Sequence, residues 1–222
     1  MNHLIVMVKN PIPGSVKTRL QTRYTSEQAA AIYRVFVLDT LALTQKVAID
    51  KRVIAYDPPD AKSAISDLCG PNWVYEPQTQ GDLGERMHNA LCHQLNQSAT
   101  AAVLIGTDIP SLPLSYIEDA FDLLKTRDVV FGPSTDGGYY LVGISRPCPE
   151  LFANIEWSTP KVFAQTVARL HPNGYKLGLL SSWFDVDTPE ELDILISHAD
   201  AQHIASGRDP IPHTRAYLST LL

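Results

Sequence analysis

The chain has 222 residues, 45% of them hydrophobic, and a formal net charge of −6. That length supports one sizeable core, so a single domain over 1–222 is expected, and the acidic balance argues against a general nucleic-acid surface. Three scattered cysteines without a Cys-x-x-Cys pair indicate neither zinc nor a disulfide framework. The N-terminal apolar run Leu4 to Val8 is too short for a signal peptide or membrane span, so a soluble cytoplasmic protein with no membrane partner is expected.

That run reads as a first buried strand. The loop Lys9 to Arg19 follows, with three cations (Lys9, Lys17, Arg19), the hydroxyls of Ser15 and Thr18, and one glycine, Gly14. Apolar positions at helical spacing, among them Ile32, Tyr33, Phe36 and Leu41, predict a helix from Ser26 to Gln45, with Ser26 as its N-cap. Arg52 to Tyr56 is a strand, Asp60 to Leu68 a helix, Trp73 to Glu76 a short strand and Asp82 to Leu95 a helix. Ala102 to Ile105 is an apolar run of the kind a two-sided parallel sheet needs, and a helix from Leu114 to Lys125 follows it.

Asp128 to Phe131 and Tyr139 to Ile144 are strands separated too briefly for a crossover, which predicts an antiparallel pair. Thr159 and Pro160 open a helix reaching Leu170. Tyr175 to Leu180 is a strand, and Trp183 to Val186 a last extended piece. Thr188, Pro189 and Glu191 match a capping box for a helix to about Ala199, and a short helix spans His213 to Leu221. Strands alternating with helices give an α/β fold with a mixed, mostly parallel sheet covered on both faces.

Five stretches carry candidate chemistry. The first loop lies where a phosphate-binding loop belongs, yet lacks the glycine-rich fingerprints, so phosphate would be held by Lys17 and Arg19; a solvated surface loop reads equally from the residues. Asp108 falls just past the strand Ala102 to Ile105, where open α/β sheets place ligands, and can hold Mg²⁺ or merely cap a turn. Asp136-Gly137-Gly138-Tyr139-Tyr140 allows close backbone approach to a ligand, or makes a hairpin turn. Asp185 and Asp187 share one side of an extended segment, as a cation site or as decoration before the helix cap. Gly81 and Gly84 fit a loop near a base or ribose. The seven histidines show neither ligand spacing nor a triad, and there is no Gly-x-Ser-x-Gly elbow.

Taken in order, Lys9-Asn10-Pro11-Ile12-Pro13-Gly14-Ser15-Val16-Lys17-Thr18-Arg19-Leu20, Gly106-Thr107-Asp108-Ile109-Pro110, Phe131 to Leu141, Trp157-Ser158-Thr159 and Asp185-Val186-Asp187-Thr188-Pro189 resemble the bacterial glycosyltransferase-like DUF2064 proteins, also called radical-SAM/selenodomain-associated transferase 1. The resemblance covers the chain to about Ala199. It implies a three-layer GT-A (nucleotide-diphospho-sugar transferase) fold. It extends to the guanylyltransferases of the deazaflavin cofactor pathway, which share the Lys-Thr-Arg-Leu loop and the closing Asp-Thr-Pro. The Ala-Gly-Gly-x-Ser-x-Arg start of sugar-phosphate nucleotidylyltransferases is absent.

By that resemblance Lys9, Gly14, Lys17, Thr18, Arg19, Gly81 and Gly84 bind the nucleotide. Asp108 and Asp136 are catalytic, and Gly137, Gly138 and Tyr140 line the acceptor side. Asp108 and Asp187, with Asp185 beside them, hold Mg²⁺ or Mn²⁺. The implied activity is a metal-dependent transferase using a nucleotide-activated donor and a small-molecule acceptor. Glycosyl transfer from a nucleotide-sugar comes first. Nucleotidyl transfer from a nucleoside triphosphate to a phosphate or carboxylate is the alternative, and a non-catalytic nucleotide-binding module is the reading from another class. A phosphohydrolase using water as acceptor is a third, and homo-oligomers are left open.

Overall fold

The computed structural model describes residues 1–221. Its centre is a seven-stranded sheet in the order β3-β2-β1-β4-β6-β5-β7. The strands are β1 (Asn2–Lys9), β2 (Lys51–Asp57), β3 (Val74–Pro77), β4 (Ala101–Ile105), β5 (Val129–Pro133), β6 (Tyr139–Ile144) and β7 (Leu177–Leu179). Only β6 runs against the rest, pairing antiparallel with both β4 and β5, as the short loop before it requires. From β1 the chain steps outward through β2 to β3, then returns to place β4 on the other side of β1. The β1–β4 boundary is therefore the topological switch point, where a crevice opens beyond the strand ends.

Helices cover both faces. On one, α1 (Ser26–Thr44), α2 (Lys62–Cys69) and α4 (Leu114–Leu123) bury Val37, Ile65 and Phe121 against β1, β2 and β4. On the other, α3 (Leu83–Asn96) and α5 (Val162–Leu170) bury Met87, Leu91 and Leu170 against Ile5, Leu104 and Phe131. The C-terminal helices α6 (Pro189–Ser206) and α7 (Pro212–Leu218) pack on the outer side of α1, where Ile32 and Phe36 meet Val186, Leu192, Leu195 and Ile211. The tail thus closes on its own core. No helix among the described residues is long and apolar enough to cross a membrane.

The helix ends differ from expectation in instructive places. Thr25, not Ser26, caps α1: its hydroxyl accepts from the Gln28 amide while the Gln28 side chain accepts from the Thr25 amide. Thr159 does not cap α5, which begins at Val162; its hydroxyl instead donates to the Glu156 carbonyl and closes a separate turn. The α6 capping box forms as read, but the helix continues to Ser206 and stops at Gly207 in the left-handed region (φ 70°).

Candidate active site

The loop after β1 returns toward the sheet at Lys17. This residue adopts the left-handed conformation (φ 48°, ψ 42°) as it enters the 3₁₀ turn Thr18–Thr22, an unusual posture for a side chain with a Cβ. Its side chain passes inward beside the Phe36 ring, 5.5 Å away, and is only 3% exposed. The ammonium meets three oxygens: Oδ1 of Asp108 at 2.5 Å, Oδ1 of Asp187 at 2.7 Å and the Val186 carbonyl at 2.6 Å. Its three protons are matched by three acceptors.

Separate elements bring those oxygens together. Asp108 leaves the end of β4, beside the switch point. The segment Trp183 to Asp187 is laid across the strand ends by backbone bonds: Trp183 donates to Pro133, Thr135 to Trp183, and Val186 to Asp108. Asp187 is then fixed at the mouth of α6, because Glu191 Oε2 accepts from its amide at 2.7 Å and from the amide of Thr188 at 2.8 Å. The positive end of that helix also favours the Asp187 carboxylate.

The electrostatics follow from this packing. Burial alone would lower the Lys17 pKa, but Asp108 and Asp187 reverse that and lift it to about 12. Burial opposes ionisation of Asp187 as well, yet Lys17, then Arg19 and Lys9, hold its pKa below the usual range. Asp185 fares differently. Burial raises its pKa to about 7; the Ser134 hydroxyl, its hydrogen-bond partner, offsets part of this, while Asp136, Asp108 and Asp187 add to it. At neutral pH the cluster therefore holds a firm cation, a firm anion and a carboxyl near half-titration.

The other expected residues fall into two groups. Lys9, Thr18 and Arg19 are exposed beside the site, with Arg19 68% exposed and its guanidinium 3.4 Å from Asp187 Oδ2. Gly14 lies in the open part of the same loop at φ 81°, with space around it.

The remaining residues are occupied elsewhere. Tyr140 is 4% exposed and its hydroxyl donates to the Ser181 carbonyl, so its side chain belongs to the core and not to an acceptor surface. Gly84 faces Trp157: a Cβ there would sit 2.4 Å from the indole, so the glycine serves helix packing, not a base. Gly137 (φ 91°) makes room for the Pro160 backbone, 2.3 Å from where a Cβ would stand. Asp136 accepts from the Gly138 amide at 2.8 Å and closes the turn, which fixes both residues locally. Gly81, at φ 117°, precedes the α3 cap Asp82.

Two contributors went unread in the sequence. Ser134, inside a motif otherwise singled out, is the partner of Asp185. Tyr33, read as helix core, brings its hydroxyl 3.0 Å from the Lys9 amide and 2.9 Å from Thr107 Oγ1, tying the diverging ends of β1 and β4. A phenol hydroxyl on the buried face of the helix was the available signal.

The donor set at Lys17 consists of oxygens alone, the chemistry that Mg²⁺ or Mn²⁺ takes. Among the described residues no three His, Cys, Asp or Glu side chains are grouped to hold a metal by themselves. Two carboxylates are nevertheless enough for an ion that draws its other ligands from phosphates and water.

Known proteins share this fold. A candidate nucleotide-diphospho-sugar transferase from Desulfovibrio desulfuricans G20 superposes with a TM-score of 0.89 at 32% identity, over 99% of this chain and 94% of that one. CMP:2-keto-3-deoxy-manno-octonic acid synthetase, solved with CTP, shares the fold at a TM-score of 0.58 and 12% identity, over 90% and 99%. By sequence, the 3-phospho-D-glycerate guanylyltransferase of Phenylobacterium zucineum (strain HLK1) is 26% identical over 186 residues, 79% of this chain and 81% of that protein. These relatives agree with the expected nucleotide-dependent transferase on a nucleotide-diphospho-sugar transferase fold. A family model described as "Uncharacterized protein conserved in bacteria (DUF2064)" matches residues 40–159, more than half of the chain and a span that includes Asp108 and the Asp136 turn. The chain belongs to the DUF2064 family.

Proposed function

We propose that this protein is a metal-dependent nucleotidyltransferase that moves a nucleoside monophosphate from a nucleoside triphosphate to an oxygen of a small phosphate or carboxylate acceptor. The acceptor oxygen bonds to the α-phosphorus, the bond from that phosphorus to the bridging oxygen breaks, and pyrophosphate leaves. The observation that carries the reading is the Asp108–Asp187 pair, spanned by one cation at the switch point.

Asp108 and Asp187 would hold Mg²⁺ or Mn²⁺, which when bound neutralises charge developing on the phosphates. Arg19, Lys9 and Thr18 stand exposed beside the pair, where phosphate oxygens would reach them. Lys17 supplies a point charge to the same phosphates. Asp185, held by the Ser134 hydroxyl, stands beside the pair. The fixed turn at Asp136 to Gly138 borders Asp185 on the acceptor side. Holding donor and acceptor together in this way is what such a reaction asks of a protein.

The Phenylobacterium relative supports nucleotidyl transfer over the glycosyl transfer first expected. The Desulfovibrio relative keeps transfer from a nucleotide-sugar as the second reading. Incubation with Mg²⁺ and each nucleoside triphosphate, with and without 3-phosphoglycerate and related acids, separates them. Pyrophosphate released only when an acceptor is present is the expected result. Consumption of a nucleotide-sugar instead selects the second reading, release with water alone indicates a hydrolase, and intact return of bound nucleotide indicates a binding module.

A further inference from the structure

We infer that Lys17 is a built-in counter-cation that occupies the metal's place between Asp108 and Asp187 until a nucleotide draws it away, so that metal and nucleotide load together and the ion does not bind first. The inference rests on the metal-and-nucleotide reading above and adds an order of binding to it.

Three observations carry it. First, the ammonium lies within 2.5 and 2.7 Å of one oxygen from each carboxylate that would hold the ion, and its third proton is spent on the Val186 carbonyl. Second, exposure is lopsided: Lys17 is 3% exposed, while Asp108 and Asp187 are 46% and 37% exposed. The lysine sits beneath the pair, and an ion arriving from solvent meets carboxylates whose charge is already offset from below. Arg19, at 3.4 Å from the second oxygen of Asp187, offsets it further.

Third, the backbone at Lys17 is left-handed (φ 48°, ψ 42°), a conformation that a non-glycine residue keeps only while its contacts hold it there. The lysine is thus posed in a conformation it can leave once another anion competes. The phosphates of a nucleotide are such an anion, and Arg19 and Lys9 stand exposed to recruit them. When Lys17 exchanges carboxylate for phosphate oxygens, Asp108 and Asp187 are released to the ion.

Calorimetric titration of Mn²⁺ into the metal-free full chain, without nucleotide, tests this. Wild type is expected to bind weakly and Lys17→Met at least tenfold more tightly, with the gain lost in Lys17→Met/Asp108→Asn. For wild type, α,β-methylene GTP is expected to tighten Mn²⁺ at least tenfold. Equal or weaker Mn²⁺ binding by Lys17→Met, in a protein whose wild type binds Mn²⁺ better than Asp108→Asn does, overturns the counter-cation role and leaves the metal site standing. Binding by wild type and Lys17→Met no better than by Asp108→Asn, with or without nucleotide, removes the metal site itself and this inference with it. Should Lys17→Met not fold, the Lys17 ammonium resonance of the wild type is followed by NMR. It is expected to stay in place with Mg²⁺ alone and to move with Mg²⁺ and α,β-methylene GTP; movement with Mg²⁺ alone overturns the inference.

Discussion

Asp39 and Asp185 are both carboxylates drawn out of water, yet their surroundings are opposite. Asp39, on α1, is 1% exposed and receives three hydrogen bonds from the start of α7: the amides of His213 and Thr214 at 2.9 Å each and the Thr214 hydroxyl at 2.6 Å. Burial raises its pKa, and those three donors pull it back. Asp185 has the Ser134 hydroxyl and, around it, the carboxylates of Asp108, Asp136 and Asp187. One carboxylate is provided for by its fold, and pins the C-terminal helix to the domain. The other is left with one hydroxyl donor among like charges, and a buried carboxyl so placed is a candidate for a functional role.

The comparison is tested first where the effect is largest. Asp108→Asn should lower turnover by about 100- to 1,000-fold, since charge stabilisation on the reacting phosphates is lost. Its melting temperature should move by no more than about 2–4 °C, the equivalent of ~1 kcal/mol. Lys17 keeps Asp187 and the Val186 carbonyl as partners. Steady-state rates and thermal melts of the same preparation check both halves, and an equal loss of fold and rate would place Asp108 with Asp39 as scaffold. Asp39→Ala should do the reverse. It strands three donors in the interior and should cost about 2–4 kcal/mol, read as a lower urea midpoint, with rate per folded molecule retained.

The sequence carried the scaffold better than it carried this contrast. Every strand of the sheet was legible in the sequence, β1 and β4 most plainly as apolar runs, and the reversal of β6 followed from the short loop after β5. The Thr188 capping box was legible because its residues are neighbours. Lys17 and its acceptors are not: the lysine and the Val186 carbonyl it bonds are 169 residues apart, and no spacing rule links them. The motif resemblance names both stretches without their contact, and so points Lys17 at phosphates while its ammonium lies on carboxylates. Glycines misled for a related reason. A glycine beside a candidate site suggests room for a ligand, but Gly84 and Gly137 make room for Trp157 and Pro160. Only the partner in space tells these cases apart. Asp39 was invisible as a special residue, since a lone acid on a helix reads as a solvated face until α7 is seen to cover it.

Acidity distinguishes the two carboxylates next. The Asp185 pKa rises from an ordinary 3.8 to about 7 on folding, so between those values the native state keeps a proton that the unfolded chain has released. Stability from this group must therefore fall as pH rises from about 4 to about 7. In the metal-free protein, Asp185→Asn should flatten that part of the stability profile, measured by urea denaturation across the pH range. A slope that survives the substitution would mean another group carries it.

The smallest expected effect asks whether Asp39 can be made to resemble Asp185. Thr214→Val keeps the shape of the side chain and both backbone amides but deletes one of the three donors. The lost hydrogen bond to a charged acceptor should cost about 1–2 kcal/mol. Because the Thr214 hydroxyl is among the groups that lower the Asp39 pKa against burial, its removal should push that pKa further up. By the same sign as at Asp185, stability would then decline with rising pH above 3.8 more steeply than in the wild type. Carboxyl NMR titration of Asp39 in the two proteins reads the shift directly. An unchanged pKa would show that the amides of α7 alone settle this charge, leaving hydroxyl donors unable to account for the difference between the two carboxylates.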